Sequence, residues 1–311
     1  MRRTPALIAL LISATLGLAA CGSDTGDGDA ASGASGDVPT ATGEFGEKPV
    51  VEIPEGEPSD ELVVEVLSEG DGAEVAAGDF LLADYLGQTW EPGEDGEPNV
   101  FDNSYDRGQP AGFGIGEGAV IPGWDEGLVG QKVGSRVLLV IPPDQGYGEQ
   151  GTPDGSIPPD STLVFVVDIV DTVPDDVAIS GTPVTDLPPG LPTVEGDGTE
   201  APTVTVTGTE PPATSDAVLL VAGDGEPIGE SLIAKVLQVS YATGETQFSS
   251  WEQQPALIVP EQLEQLPGLA TALEGQNVGS RAIVRVAAAD NVPEGGEGEA
   301  LVLVVDVVGT I

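Results

Sequence analysis

No histidine occurs among the 311 residues, and there is a single cysteine. The first absence excludes a Ser-His-Asp triad, a Cys-His pair and any imidazole metal site; the second excludes a disulfide framework and a thiolate cluster. Positive charge is nearly as scarce, with nine Lys and Arg against 53 Asp and Glu and a net charge of −44. Such a chain repels nucleic acid and anionic surfaces and takes neither as a partner. Acidic pairs are too dense for any one to mark a catalytic dyad, and "DTGDGDAAS" does not follow the spacing of a calcium loop. Neither a metal nor a cofactor is expected. Long apolar runs are also missing, apart from Ala6 to Ala20, which is too short to span a bilayer.

That run follows Arg2 and Arg3 and ends in "LAAC", the order of a secretory leader over residues 1–21. Cys21, with two small residues before it and Leu18 three positions upstream, resembles the lipobox of bacterial lipoproteins. The resemblance implies that Cys21 becomes the lipidated first residue and holds the protein to the extracytoplasmic face of the cell membrane. Two or more acyl chains anchor stably where one is marginal. Residues 22–47, rich in Gly, Ser, Asp and Ala, are expected to be a flexible tether, and the Pro/Gly/Thr-rich 173–200 an interdomain linker.

The remainder is written twice. "IPGWDEGLVGQKVGSR" (121–136) and "LPGLATALEGQNVGSR" (266–281) share nine of sixteen positions. "KPVVEIPEGEPSDELVVEVLSEGDG" aligns without gaps to "APTVTVTGTEPPATSDAVLLVAGDG" at an offset of 153, the helical stretches at 145, and "TLVFVVDIV" with "ALVLVVDVV" at 138. The second copy is therefore shortened before and after its helix. Domains at 48–172 and 201–311 follow, each large enough for a core. Val- and Leu-rich runs bounded by Gly, Pro and Asp predict strands. Ile121, Trp124 and Leu128 share one helical face, as do Leu266, Leu269 and Leu273. The expected class is α+β, with an antiparallel sheet wrapped on one short helix in each domain.

In the first domain "DYLG", "FDNSYDRGQP", "GEGAVIPGWDEGL", "VGSRVLLVIPPDQGYG" and "SIPPDSTLVFVVDIV" occur in fixed order. In this order and spacing they resemble the FKBP-type peptidyl-prolyl cis-trans isomerases over essentially all of 48–172. The resemblance implies a proline pocket formed by Tyr85, Phe101, Asp102, Arg107, Val120, Ile121, Trp124, Tyr147, Ile157 and Phe165. Trp124 would floor it, and Tyr85, Phe101 and Phe165 would wall it. The Ile121 N–H and the Tyr147 hydroxyl would receive substrate carbonyls, and Asp102 would face the amide. Proline-containing unfolded or secreted polypeptides are the implied partners, and macrolides the implied inhibitors.

Taken alone, these aromatics would be ordinary core residues and Asp102 with Arg107 a solvated pair. The repeat argues otherwise. Aligned by sequence, the second copy has Gln238 for Tyr85, Phe248 for Phe101, Ser249 for Asp102 and Gln265 for Val120. It has Leu269 for Trp124, Val292 for Tyr147 and Leu303 for Phe165. A degenerate second domain without isomerase activity is expected. The alternative reading is a non-catalytic, chaperone-like lipoprotein that holds proline-containing segments, since fold and pocket alone do not prove turnover.

Overall fold

The computed structural model describes residues 38–292 and 297–311. The leader, Cys21 and the first part of the tether, 22–37, lie outside the described residues. No helix among those described is long and apolar enough to cross a membrane.

A hairpin of β1 (Thr40–Thr42) and β2 (Val50–Glu52) precedes the first sheet. The sheet contains β3 (Val63–Ser68), β4 (Phe80–Thr89), β5 (Val100–Asn103), β6 (Ala111–Gly114), β7 (Arg136–Ile141) and β8 (Leu163–Val173). Its antiparallel order is β3-β7-β8-β4-β5, with β6 also on β4. Helix α1 (Pro122–Leu128) lies on one face. Proline stands at its first turn, where no N–H is needed. Gly123 and Gly127 face the sheet: a Cβ at Gly123 would sit 2.5 Å from Ile141, and one at Gly127 2.7 Å from Leu139. Helix and sheet thus approach closely around the buried Trp124 and Leu128.

The second half repeats the plan. After β9 (Gly181–Pro183) and a hairpin of β10 (Thr193–Glu195) and β11 (Thr203–Thr205) come β12 (Asp216–Gly223), β13 (Leu232–Ser240) and β14 (Thr246–Ser249). They are followed by β15 (Ala256–Ile258), β16 (Arg281–Val286) and β17 (Leu301–Thr310). The order is β14-β13-β17-β16-β12-β9, with β15 on β13. Apart from the extra edge strand β9, this matches the first sheet strand for strand. The helical part differs from expectation. Gly268, at φ +77, confines α3 to Leu269–Leu273, so Leu266 is buried ahead of the helix, and an additional turn, α2 (Pro260–Leu263), precedes it.

Both expected linkers are too long. β7 is buried at every position, whereas an antiparallel sheet with one wet face would alternate. Val137, Leu139 and Ile141 pack with Trp124 and Leu128. Leu138 and Val140 pack on the opposite face under Val38, Ala41, Val51 and Ile53. Residues 38–47 are therefore part of the fold and not tether. In the second half, Val194 and Val204 cover Leu237, Ile283, Val302 and Val304 in the same way. Residues 173–200 accordingly supply the end of β8, all of β9 and β10.

One buried ion pair seats each hairpin. Arg136 and Asp168 face each other across β7 and β8, 2% and 0% exposed. Arg136 Nε donates to Asp168 Oδ1 at 2.6 Å, and its remaining nitrogens donate to the Gly43 and Glu47 carbonyls at 2.7 Å. Asp168 also accepts the Gly46 N–H at 2.6 Å and the Tyr105 hydroxyl at 3.0 Å. In the second half Arg281 donates to Asp306 and, at 2.7 Å, to the Gly196 carbonyl. Removing one partner of a buried pair leaves an uncompensated charge. Asp168→Ala should cost about 3–5 kcal/mol of stability, read as a lowered urea midpoint. Removing half-exposed Arg107 should cost less than about 1 kcal/mol.

Candidate functional site

Five rings from five elements converge on the helix side of the first sheet: Tyr85 (β4), Phe101 (β5), Phe113 (β6), Trp124 (α1) and Phe165 (β8). Trp124 meets Phe113, Phe165 and Tyr85 edge to face at centroid distances of 5.0, 5.3 and 5.4 Å. Phe101 meets Phe165 at 5.5 Å, and Tyr85 meets Phe113 at 5.7 Å. These arrangements suit the ring quadrupoles. Gly87 makes room for two of the rings, since a Cβ there would lie 2.5 Å from Phe165 and 2.8 Å from Phe101.

A polar group closes one side. The Tyr85 hydroxyl donates to Asp102 Oδ2. Arg107 donates to Asp102 Oδ1 at 2.6 Å and to the Tyr85 hydroxyl at 2.8 Å, with its guanidinium 5.5 Å from the Tyr85 ring centre. Arg107 comes from a single 3-10 turn, Tyr105–Arg107, ended by Gly108 at φ 71. Ser104 stitches that turn to β4, accepting the Tyr85 N–H at 2.9 Å and donating to Asp84 at 2.6 Å.

Burial, aided by the bond to Asp102, pushes the Tyr85 phenol up to about 12. Partial burial works to raise the Asp102 carboxyl, but the hydrogen bonds from Tyr85 and Arg107 outweigh it and hold the group below the usual carboxylate range. The pair thus persists above the ordinary Asp range and is lost only as pH falls through the depressed value.

The other expected residues lie around this group. Val120, Ile121 and Ile157 belong to the same apolar cluster as Trp124. Ile121 is extended just ahead of α1, and its N–H has no protein acceptor among the described residues. Its loop is held by Asp125, whose carboxylate accepts the Gly116 and Gly118 N–H groups at 2.6 and 2.7 Å. Ile157 is buried, its backbone paired with Thr152. Tyr147 is 42% exposed, and burial of the phenol together with the Asp102 charge raises its pKa. The indole N–H of Trp124 is buried without an acceptor. A leucine, which the second copy carries at Leu269, would avoid that cost. Among the described residues no three acidic, His or Cys side chains gather as a metal site would need.

Phe113 escaped the sequence reading. At the offset of 145 it aligns with Ile258, the same ring-for-aliphatic exchange seen at Trp124 and Phe165, and that exchange was the available signal. The structure also corrects the comparison between copies. Gly87 pairs with Phe165 and Gln238 with Leu303, so Val236, not Gln238, stands for Tyr85. Ser104 Oγ bonds the Tyr85 N–H and Ser250 Oγ bonds the Val236 N–H, so Phe248 stands for Asp102 and Gln247 for Phe101. The second copy has also lost two residues between Glu74 and Leu81, where sequence alignment had no reason to place a gap. Gln238 thus replaces Gly87 where neither phenylalanine ring remains, a substitution the first copy could not accept.

Two outcomes follow from this geometry. Turnover should be flat between about pH 5 and 9, because no essential group has an ordinary pKa in that range; a bell-shaped profile centred near neutrality would contradict it. Gly87→Ala should displace Phe101 and Phe165 and lower kcat/KM at least tenfold, with little change in far-ultraviolet circular dichroism.

Residues 72–170 match the family model described as FKBP-type peptidyl-prolyl cis-trans isomerase. An FK506-binding protein of Streptomyces anulatus is 44% identical over 124 residues, covering 40% of this chain and 96% of that one. A probable FK506-binding protein of Corynebacterium glutamicum is 41% identical over 126 residues, covering 40% and 98%. The crystal structure of FkpA from Escherichia coli aligns at 44% identity over 36% of this chain and 48% of that one, with a TM-score of 0.32.

Proposed function

Because the chain belongs to the FKBP-type peptidyl-prolyl cis-trans isomerases, we propose that its five-ring pocket rotates Xaa-Pro bonds of secreted or envelope polypeptides. The observation that carries this reading is the joint loss in the second copy. Val236, Phe248, Ile258, Leu269 and Leu303 replace Tyr85, Asp102, Phe113, Trp124 and Phe165, while the strand order is kept. Groups that vanish together while the fold persists serve something other than the fold.

The reaction needs no nucleophile. Rotation breaks amide resonance across about 18–20 kcal/mol without any covalent change. The planar amide is more charge-separated than the twisted one, so a dry aromatic cavity favours the twisted form relative to water. Trp124 underlies the prolyl ring, and Tyr85, Phe101, Phe113 and Phe165 exclude solvent from it. The free Ile121 N–H and the Tyr147 hydroxyl hold substrate carbonyls. Asp102, fixed by Tyr85 and Arg107, faces the rotating amide. Whatever contacts strengthen on twisting supply the rate, each 1.4 kcal/mol giving about tenfold. A macrolide would compete for the same cavity.

The sheet beginning at Gly181 is a degenerate FKBP-like domain without isomerase activity. The enzyme is held to the extracytoplasmic face of the membrane through lipid on Cys21, a reading that rests on Arg2, Arg3 and "LAAC". Slow prolyl isomerisation limits the folding of exported clients, which gives the activity its use there.

Exchange NMR on an Ala-Leu-Pro-Phe peptide tests the activity. The chain should accelerate exchange, and Trp124→Leu combined with Phe165→Leu should remove at least 95% of the acceleration. Leu269→Val, in α3, should leave it intact. A wild-type chain that binds the peptide without accelerating exchange would instead be a holding module. Replacing Cys21 with Ser should move the protein from membrane to soluble fraction.

A further inference from the structure

The second sheet holds a cavity of about 240 Å³ where the first has its aromatic pocket. Its apolar part is Leu266, Val286, Leu301 and Leu303, which correspond to Ile121, Ile141, Leu163 and Phe165. None of the five rings keeps its position, although Phe248 packs on the same core, and polar side chains line the space: Gln238, Gln247, Asn291, Glu297 and Glu299.

The hydrogen bonds among these groups run in one direction. Glu299 can only accept, taking the Ser240 hydroxyl on Oε1 at 2.5 Å and Gln247 Nε2 on Oε2 at 3.0 Å. Gln247 must therefore turn its Oε1 toward Gln238, which donates from Nε2 at 2.8 Å. Asn291 Nδ2 donates to the Glu299 main-chain carbonyl at 2.9 Å. Each of the three amides keeps a second N–H as well as oxygen capacity, so the uncompensated feature of the lining is its negative charge, the carboxylates of Glu297 and Glu299. The bonds from Ser240 and Gln247 hold Glu299 below the usual carboxylate range, so it stays charged. Among the described residues no Lys or Arg lines the cavity.

We infer that this cavity is a second peptide-binding site, taking a lysine or arginine side chain of an extended polypeptide. The aliphatic stem lies on Leu303 and Val286, and the cationic head meets the oxygens around Glu299. An apolar floor beside two carboxylates fits a long basic side chain better than proline, which has neither charge nor donor to offer. The net charge of −44 adds attraction to any basic segment. The inference depends on the second sheet alone, so it stands or falls separately from the activity proposed for the first.

The test is methyl NMR on the full chain, following Val286, Leu301 and Leu303 during titration with the blocked pentapeptide Gly-Ala-Lys-Ala-Gly. Versions with norleucine or proline in place of lysine serve as controls. The lysine peptide should give saturable shifts at those methyls, and norleucine or proline should bind at least tenfold more weakly. Glu299→Gln should weaken the lysine peptide by a similar factor. Should that variant lose its fold, Leu303→Phe, which restores the ring of the first copy and fills the cavity, should abolish the shifts. Dispersion of the second sheet's own methyl and amide resonances reports the integrity of each variant. Equal binding of norleucine, preferential binding of proline, unsaturable shifts spread over the surface, or unchanged binding by Leu303→Phe would each overturn the inference.

Discussion

The Arg136–Asp168 pair is the interaction on which the first half of this molecule depends. It lies across β7 and β8, where a charge can stay only if all its hydrogen-bonding capacity is used. The guanidinium spends its donors on Asp168 and on two hairpin carbonyls, and Asp168 gathers Arg136, Gly46 and Tyr105. Three parts distant in sequence are tied to one point. One of them, the turn that starts at Tyr105, carries Arg107 and so reaches Tyr85 and Asp102 in the pocket. The fold and the site share that turn. The pair recurs as Arg281–Asp306 although the pocket does not, which separates what the scaffold needs from what the chemistry needs.

The pocket behaves as one unit because its parts exclude one another's replacements. Gly87 is required by two rings, and once they are lost a side chain fits there, as Gln238 does. Tyr85, Asp102 and Arg107 satisfy one another, and the second copy lacks all three together. Loss of Asp102 and Arg107 alone would have left the hydroxyl of the buried Tyr85 without its partners, at a cost comparable to a lost hydrogen bond.

Much of this was legible in the sequence. Motif order gave the strands, α1 and ten candidate residues, nine of which the structure gathers into one cluster or its polar side, with Tyr147 half exposed beside them. The repeat gave the second sheet. What escaped has specific causes. Phe113 sits in "AGFGIG", whose glycines obscure strand character. The hairpin strands are only three residues long, too short to carry a pattern, and their worth comes from the buried face they cover. The relation of "VPTATGEFGE" to "LPTVEGDGTE", at the same offset of 153, was present but faint. The shift of β13 by two residues cannot be read from strands so uniformly aliphatic; the ladder with β17 fixes it.

The hairpin has a consequence for the order of assembly. Gly46 and Asp168 are separated by 122 residues, and Arg136 lies between them. Synthesis proceeds from the N-terminus, so the hairpin is made first and seated last. Until β8 exists, Arg136 has no counter-charge and Val51 has no strand pair to cover. A nascent chain ending short of residue 168 is therefore unlatched at its front as well as open at its back. Closure of so long a loop is slow, and each half of the molecule must complete its own latch.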